Sequence, residues 1–353
     1  MAIISSKIKT ESNPLTNSRI MLYPLRFKPI YQYRLWGGSK LRDVLGKKDA
    51  PDMTGESWEI SGVEDQQSVV KEGFLEGNDL QELIEVYMGD LVGDSVYEKH
   101  GTEFPLLIKL IDAHDVLSVQ VHPDDALAAQ RHHAYGKTEL WHVIQADPGS
   151  VIYTGYNRAT NRDEFLALVE QKKVQEILNA ESVKDGDAFF IPAGRVHAIG
   201  SGILLAEIQQ TSDITYRIFD WNRLEKNGRP RALHTELAID AIDFKHYPSY
   251  RNDYQACTNR PTPIVSCPYF TTNLIWFCRT VERDYLDIDS FIIYICIQGS
   301  FLLNYGQDNP MLVKTGHTIL LPAIFKDVIL EPRGETRVLE VYIDNRLAPT
   351  TAK

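Results

Sequence analysis

The chain has 353 residues, 43% of them hydrophobic and 24% charged, ordinary proportions that exclude a disordered or fibrous chain and suggest about two domains. Lysine and arginine number 37 against 48 acidic residues, a formal charge of −11. That balance argues against duplex nucleic acid and anionic membrane surfaces as partners, while a small anionic substrate is still allowed because a few local cations decide it. The longest apolar run, Phe291–Ile297, is far shorter than the roughly 18 residues a membrane span needs. No apolar signal core opens the chain, so a cytoplasmic location is expected. Cys257, Cys267, Cys278 and Cys296 show no CxxC spacing and predict free thiols, buried or half-buried, in a reducing compartment.

Residues 1–20 are polar and aperiodic and read as a flexible tail, with Met21 a possible start of the ordered part. From Leu22 to Ile60 strand-like pieces alternate with glycine and proline. Asp79–Leu91 has helical spacing at Leu80, Leu83, Ile84 and Tyr87. Phe104–Ile111 is an apolar strand interrupted by Lys109, and Val116–His122 alternates as a half-buried strand does. Pro123, Asp124 and Asp125 open a second helix running through Arg131. Thr138–Ile144 and Ser150–Tyr153 read as strands, and Arg162–Leu178 as a third helix. From Ala188 onward short strands dominate, which favours an all-β architecture of jelly-roll type with helical insertions over a doubly wound sheet.

A repeat supports two such units. VKDGDAFFIPAGRVHAI from Val183 and VKTGHTILLPAIFKDVI from Val313 share Val, Lys, Gly, Pro, Ala and Ile at an offset of 130. His197 of the first copy falls on Asp327 of the second, and Glu139 on Ile292. One copy reads as a site and the other as scaffold: a metal-binding domain over 21–243 and a second domain over 244–353 without ligands, joined near 240–263.

Gly186-x5-Pro192-x-Gly194-x2-His197 is the second signature of cupin β-barrels, a tight turn feeding a strand that aims an imidazole into the barrel. The Asn often found four residues after that histidine is Ser201 here. The usual His-x-His is Gln120-x-His122, separated from Glu139 by sixteen residues. Positions two apart share a strand face, so Ser118, Gln120 and His122 point one way, as do Lys137, Glu139 and Trp141. Two imidazoles, a carboxylate and an amide oxygen suit a borderline divalent metal, Zn²⁺ first, with Fe²⁺, Co²⁺ or Mn²⁺ behind it. His114, His132, His133, His142 and His234 read as ordinary core or surface groups.

GESWEIS, FPLLIKLIDA, LSVQVHPDD, GKTELWHV, IPAGRVHAI and TYRIFDW, in that order, resemble the type I mannose-6-phosphate isomerases (phosphomannose isomerases), in particular their short two-cupin branch. The resemblance spans about Tyr23 to Phe244 and weakens beyond. It implies a zinc ion, one per chain, on Gln120, His122, Glu139 and His197. It implies an active-site arginine at Arg217 and an acidic pocket residue at Glu207. Lys109, Ser118 and Lys137 would hold the sugar phosphate, and Trp36, Glu56 and Trp58 would wall the pocket.

The implied reaction interconverts mannose 6-phosphate and fructose 6-phosphate through a cis-enediol, so the partner is a small sugar phosphate. That chemistry needs a base at the C1–C2 edge, for which Glu207 is the first candidate, and positive charge at the developing oxygen, which a metal and Arg217 can provide. Two alternatives stand beside it. Two His and one carboxylate also form the triad of an Fe(II) cupin oxygenase, although Gln120 would occupy a position O₂ needs. A non-catalytic sugar-phosphate-binding cupin is the other.

Overall fold

The computed structural model describes residues 22–225, 228–306, 310–344 and 346; the expected tail over 1–20 and the possible start at Met21 lie outside them. Backbone pairing gives four sheets. The first runs, in hydrogen-bonded order, Ile30–Gly38, Thr54–Ser61, Leu106–Ala113, Ile203–Gln210, Glu139–Ala146, Ala188–Ile191. The second runs Tyr216–Phe219, Val119–Val121, His197–Ile199, Val151–Tyr156, Leu178–Ser182. The third runs Arg260–Ser266, Thr271–Phe277, Thr336–Tyr342, Ile292–Gln298, Thr318–Leu321, and the fourth Val281–Asp284, Asp327–Pro332, Ser300–Asn304, Met311–Lys314.

Side-chain alternation sorts these strands into layers. Leu106, Ile108 and Leu110 of one strand, and Leu204, Ala206 and Ile208 of its neighbour, join an apolar cluster that also takes Ile293, Ile295, Leu339 and Val341 of the third sheet. The first and third sheets therefore lie back to back. The opposite faces, Ile111, Ala113, Ile203 and Leu205, close on Ile152 and Ile199 of the second sheet. In the second half, Ile292 and Tyr294 close on Phe301, Leu303, Val328 and Leu330 of the fourth sheet. Two β-sandwiches result, and the all-β, twin jelly-roll expectation holds, with each barrel formed by two facing sheets rather than one closed sheet.

The helices depart from the sequence reading at their ends. The first expected helix is capped by a reciprocal Asp79/Glu82 box and spans Leu80–Tyr87. It stops because Met88 takes φ 44°, and two short helices follow, Gly89–Val92 and Asp94–His100. Asp124 caps the second at Asp125–His132. The third ends at Glu170, where Lys172 takes φ 58°. A 3₁₀ turn covers Val174–Ile177, and Leu178 already begins a strand. Lys40–Asp43 and Thr235–Ala241 are also helical, each too short to show a period in sequence. Among the described residues, no helix is long and apolar enough to cross a membrane. All four thiols are free, but Cys278 is exposed rather than half-buried, because it lies just past the end of strand Thr271–Phe277.

The repeat is visible in the pairing. Glu139 pairs with Ile191 and Ile292 with Leu321, while His197 pairs with Gln120 and Asp327 with Asp284. Extending the match, Glu340 lies between Tyr294 and Asn273 as Glu207 lies between Trp141 and Lys109. In the second sandwich a guanidinium fills the interior: Arg283 Nε and Nη2 donate to Glu340 at 2.8 and 3.1 Å. Tyr285 donates to the same carboxylate at 2.5 Å and bonds to Tyr294.

Candidate metal centre

The site forms where the two sheets of the first sandwich face each other. Val119 and Val121 belong to the outward apolar cluster beneath the helices, so Gln120 and His122 turn inward. His197 opens the next strand and pairs with Gln120. On the opposing sheet Trp58, Lys109, Glu207 and Trp141 stand abreast on four adjacent strands, with Glu139 two residues before Trp141 on the same face.

His122 Nε2 lies 3.7 Å from Glu139 Oε2, and His197 Nε2 lies 3.4 Å from Oε1. Ligand atoms of the three residues fall within 4.8 Å of one another, and all three residues are buried. Each histidine Nδ1 sits 2.8 Å from a carbonyl, Ile214 O for His122 and Arg195 O for His197. A carbonyl only accepts, so Nδ1 carries the proton and Nε2 presents a lone pair inward. Lys137 Nζ lies 3.0 Å from Glu139 Oε2 as an ion pair. Yet neither Nε2 nor either Glu139 oxygen has a directed hydrogen bond. Buried acceptors left this way cost about 1–3 kcal/mol each, and a divalent cation satisfies all of them at once. Gln120 lines the adjoining cavity.

Electrostatics agree with that use. Burial, helped by the Lys137 ammonium, holds His197 near a pKa of about 3 and His122 well below the usual imidazole range, so both imidazoles are neutral. Burial pushes Glu139 up to about 7, the Glu207 charge adding and Lys137 opposing. For Glu207 burial works upward too, but Lys109 and Lys137 outweigh it and hold the carboxyl well below its ordinary value. Glu56 is also held low: burial opposes, and Lys109 and Arg34 prevail.

Six of the residues singled out in sequence line one cavity of about 100 Å³: Glu56, Trp58, Lys109, Gln120, Lys137 and Glu207. Lys109 Nζ donates to Glu207 Oε1 at 2.9 Å and lies 5.3 Å from the Trp58 ring centre. Trp141 Nε1 donates to Glu207 Oε2 at 2.8 Å. Trp36 is instead packed in the apolar cluster between the sheets, 3% exposed. Ser118 is buried just before its strand and is not among the lining residues. Arg217 is one strand farther out, its backbone pairing with Gln120. Its Nη1 donates to Ala232 O at 2.9 Å, and its buried Nε has no partner.

Arg34 adds to the residues expected from sequence. It lines the cavity and grips Glu56 through Nε and Nη2 at 2.8 and 3.1 Å. Its one sequence signal is an arginine inside the aromatic strand YQYRLW. Of the histidines that read as ordinary, His132 bonds Tyr216 at 2.7 Å, His142 bonds Tyr254 at 3.1 Å, and His234 accepts from the Arg217 amide at 3.0 Å.

Comparison with known proteins supplies a family. Residues 24–141 match the model of the phosphomannose isomerase type I catalytic domain. The chain is 35% identical over 301 residues to a mannose-6-phosphate isomerase of Streptococcus mutans, covering 85% of this chain and 93% of that one. It is 39% identical over 254 residues to mannose-6-phosphate isomerase ManA of Bacillus subtilis, covering 70% and 78%. The crystal structure of a Bacillus subtilis mannose 6-phosphate isomerase superposes with a TM-score of 0.80 at 31% identity, over 91% of this chain and 99% of that one.

Proposed function

The chain belongs to the type I phosphomannose isomerases, and from that premise we propose how its residues carry out the reaction. It is a mannose-6-phosphate isomerase, an aldose–ketose isomerase of a metal-dependent family. Gln120, His122, Glu139 and His197 would hold the ion, one Zn²⁺ per chain in our reading, and residues 21–243 would form the catalytic domain, with 244–353 as scaffold. When bound, the ion supplies positive charge that stabilises the oxygen of the cis-enediolate.

The surrounding charges fit a phosphorylated sugar. Arg34, Lys109 and Lys137 balance Glu56, Glu207 and Glu139 one for one, and Asp213 stands at the exposed rim. A divalent ion would add two positive charges to that balanced buried set, which favours a phosphate monoester. Lys109 and Lys137 are the ammonium groups that would meet the phosphate or the developing oxygen, with Trp58 walling the sugar.

Glu207 takes a different role from the base first expected. Both of its oxygens are engaged, one by Lys109 and one by Trp141, and its neighbours keep it ionised. A carboxylate so stabilised is a weak proton acceptor. We assign it to holding Lys109 in place. Trp36 packs behind the pocket rather than at its wall.

The observation that carries the reading is the cluster of buried His122, His197 and Glu139 ligand atoms, none with a directed hydrogen bond, beside two ammonium groups. Its test combines metal analysis with a coupled assay for fructose 6-phosphate on one preparation. EDTA is expected to remove both metal and turnover, and Zn²⁺ add-back to restore both. Turnover that survives complete metal removal overturns the metal's role; no turnover in any state favours a sugar-binding sensor. Arg217→Ala is expected to fold, keep its metal and lose about 100-fold in kcat. Near-normal kcat in that variant removes Arg217 from the reaction.

A further inference from the structure

The two copies of the repeated turn each face the other half of the molecule across a crevice. Around Lys184–Asp187 the crevice is about 440 Å³. Its Arg251 is neutralised there by Asp187 at 3.3 Å and Glu181 at 3.4 Å. At the offset of 130, His317 stands where Asp187 stands, so the second crevice has lost that acid. This second crevice, about 330 Å³, runs between the Lys314–Thr318 turn and the first sandwich.

The segment carrying Arg26 is fixed between the halves, because Leu25 pairs with Leu320 and Phe27 with Val70. Arg26, Lys47, Lys48, Lys71 and Lys314 face only Asp49 and Glu59 as acids among the lining residues, with Tyr31 at the wall. Lys47 is spent on Glu59 at 2.7 Å and on Gly316 O at 3.0 Å, and Arg26 is paired with Glu72 at 2.5 Å. Asp49 accepts from Tyr31 at 3.1 Å. Lys48, Lys71 and Lys314 have no ion pair among the described residues, and all three are exposed to the crevice mouth or to solvent. Two further polar atoms on the walls are buried without partners, Arg26 Nε and Thr318 Oγ1, the latter on a residue 5% exposed. Such a concentration of cations in a chain of charge −11 is not a default surface.

We propose that this crevice is a second binding site, apart from the metal centre, for a phosphate dianion, either free phosphate or the phosphate of a small monoester. Lys48, Lys71 and Lys314 supply the charge, while Arg26, paired with Glu72, offers its unpartnered Nε and Thr318 a hydroxyl donor. A bound dianion touches both sandwiches and so ties them together. His317 is the reporter of this field. Its Nδ1 faces Arg26 Nη1 at 3.2 Å, and burial together with Arg26, Lys47, Lys71 and Lys314 holds its pKa down at about 4. An anion among those cations reverses part of that effect.

The test uses the metal-loaded protein and follows the His317 ring by NMR, assigned with His317→Gln, during titration with inorganic phosphate and separately with mannose 6-phosphate, chloride balancing ionic strength. The expected result, at about pH 7.5 where both anions are mainly dianions, is a saturable shift of the His317 ring resonances as either anion binds. Tighter binding of the sugar phosphate assigns the site to monoesters, and equal binding assigns it to free phosphate. Lys71→Gln with Lys314→Gln, both at exposed positions, is expected to weaken the apparent affinity at least about tenfold while turnover stays within about twofold. No movement of His317 with either anion, an equal movement with chloride, or an unchanged affinity in the double variant overturns the proposal.

Discussion

His197→Ala is expected to leave a folded protein that no longer retains a stoichiometric metal ion and turns over at least about 1,000-fold more slowly. The size follows from what the residue does. Groups that merely orient a ligand typically cost roughly 10–100-fold in metal affinity when removed, and a ligand itself costs more. His197 is fully buried, its Nδ1 is committed to Arg195 O, and its Nε2 has no protein partner. Removing the ring therefore deletes a donor without breaking any bond that holds the fold, apart from one to a carbonyl beside it. Metal content by elemental analysis and turnover by the coupled assay are measured on the same sample. A variant that keeps a full equivalent of metal refutes the ligand role, whatever its rate. His197→Gln separates packing from ligation: it keeps volume and a donor oxygen, so partial metal retention is expected where alanine shows none.

Much of this site is legible in the amino-acid sequence, and the reason is geometric. A strand alternates, so Gln120 and His122, or Lys137, Glu139 and Trp141, share a face whatever the rest of the chain does. The Gly186–His197 signature fixes a turn and a strand start, and the strand indeed begins at His197. Lys109 stands out because it interrupts an apolar run, and alternation places it inside with Ile111 while Ile108 and Leu110 face the other sandwich. What sequence does not show depends on which strands become neighbours. Glu207 looks like any carboxylate in sequence; its engagement by Lys109 and Trp141, 98 and 66 residues away, is a product of sheet order. Arg34 reaches Glu56 across a pairing whose register slips between Gln32 and Tyr33 and again before Gly38, an irregularity without a sequence mark. The family resemblance implies Trp36 as pocket wall, yet one strand position separates a wall from a core, and its ring packs against Gly55 within the sheet. Met88 ends the first helix by a left-handed backbone that an apolar pattern does not announce.

Arg283→Met is expected to lower stability by about 3–5 kcal/mol while leaving metal content and turnover of the folded protein unchanged. The reason lies in the correspondence between the sandwiches. Glu340 occupies in the third sheet the place Glu207 occupies in the first, and it is completely buried. In the first sandwich the buried carboxylates Glu56, Glu207 and Glu139 are balanced by Arg34, Lys109 and Lys137. In the second, one guanidinium serves, held bidentate by Glu340, with the Tyr285 and Tyr294 hydroxyls closing the network. Burial opposes the charge on Arg283, but the Glu340 carboxylate more than compensates, so the guanidinium stays charged. Methionine keeps much of the stem volume and strips the charge, which leaves Glu340 buried without a cation. Glu340→Gln added to Arg283→Met removes that stranded charge and is expected to recover more than half of the loss, a coupling that a double-mutant cycle isolates. Denaturant unfolding of the two single variants and the double variant measures it. A single variant costing under about 1 kcal/mol, or additive losses in the pair, means that the second sandwich does not depend on this guanidinium for its interior balance.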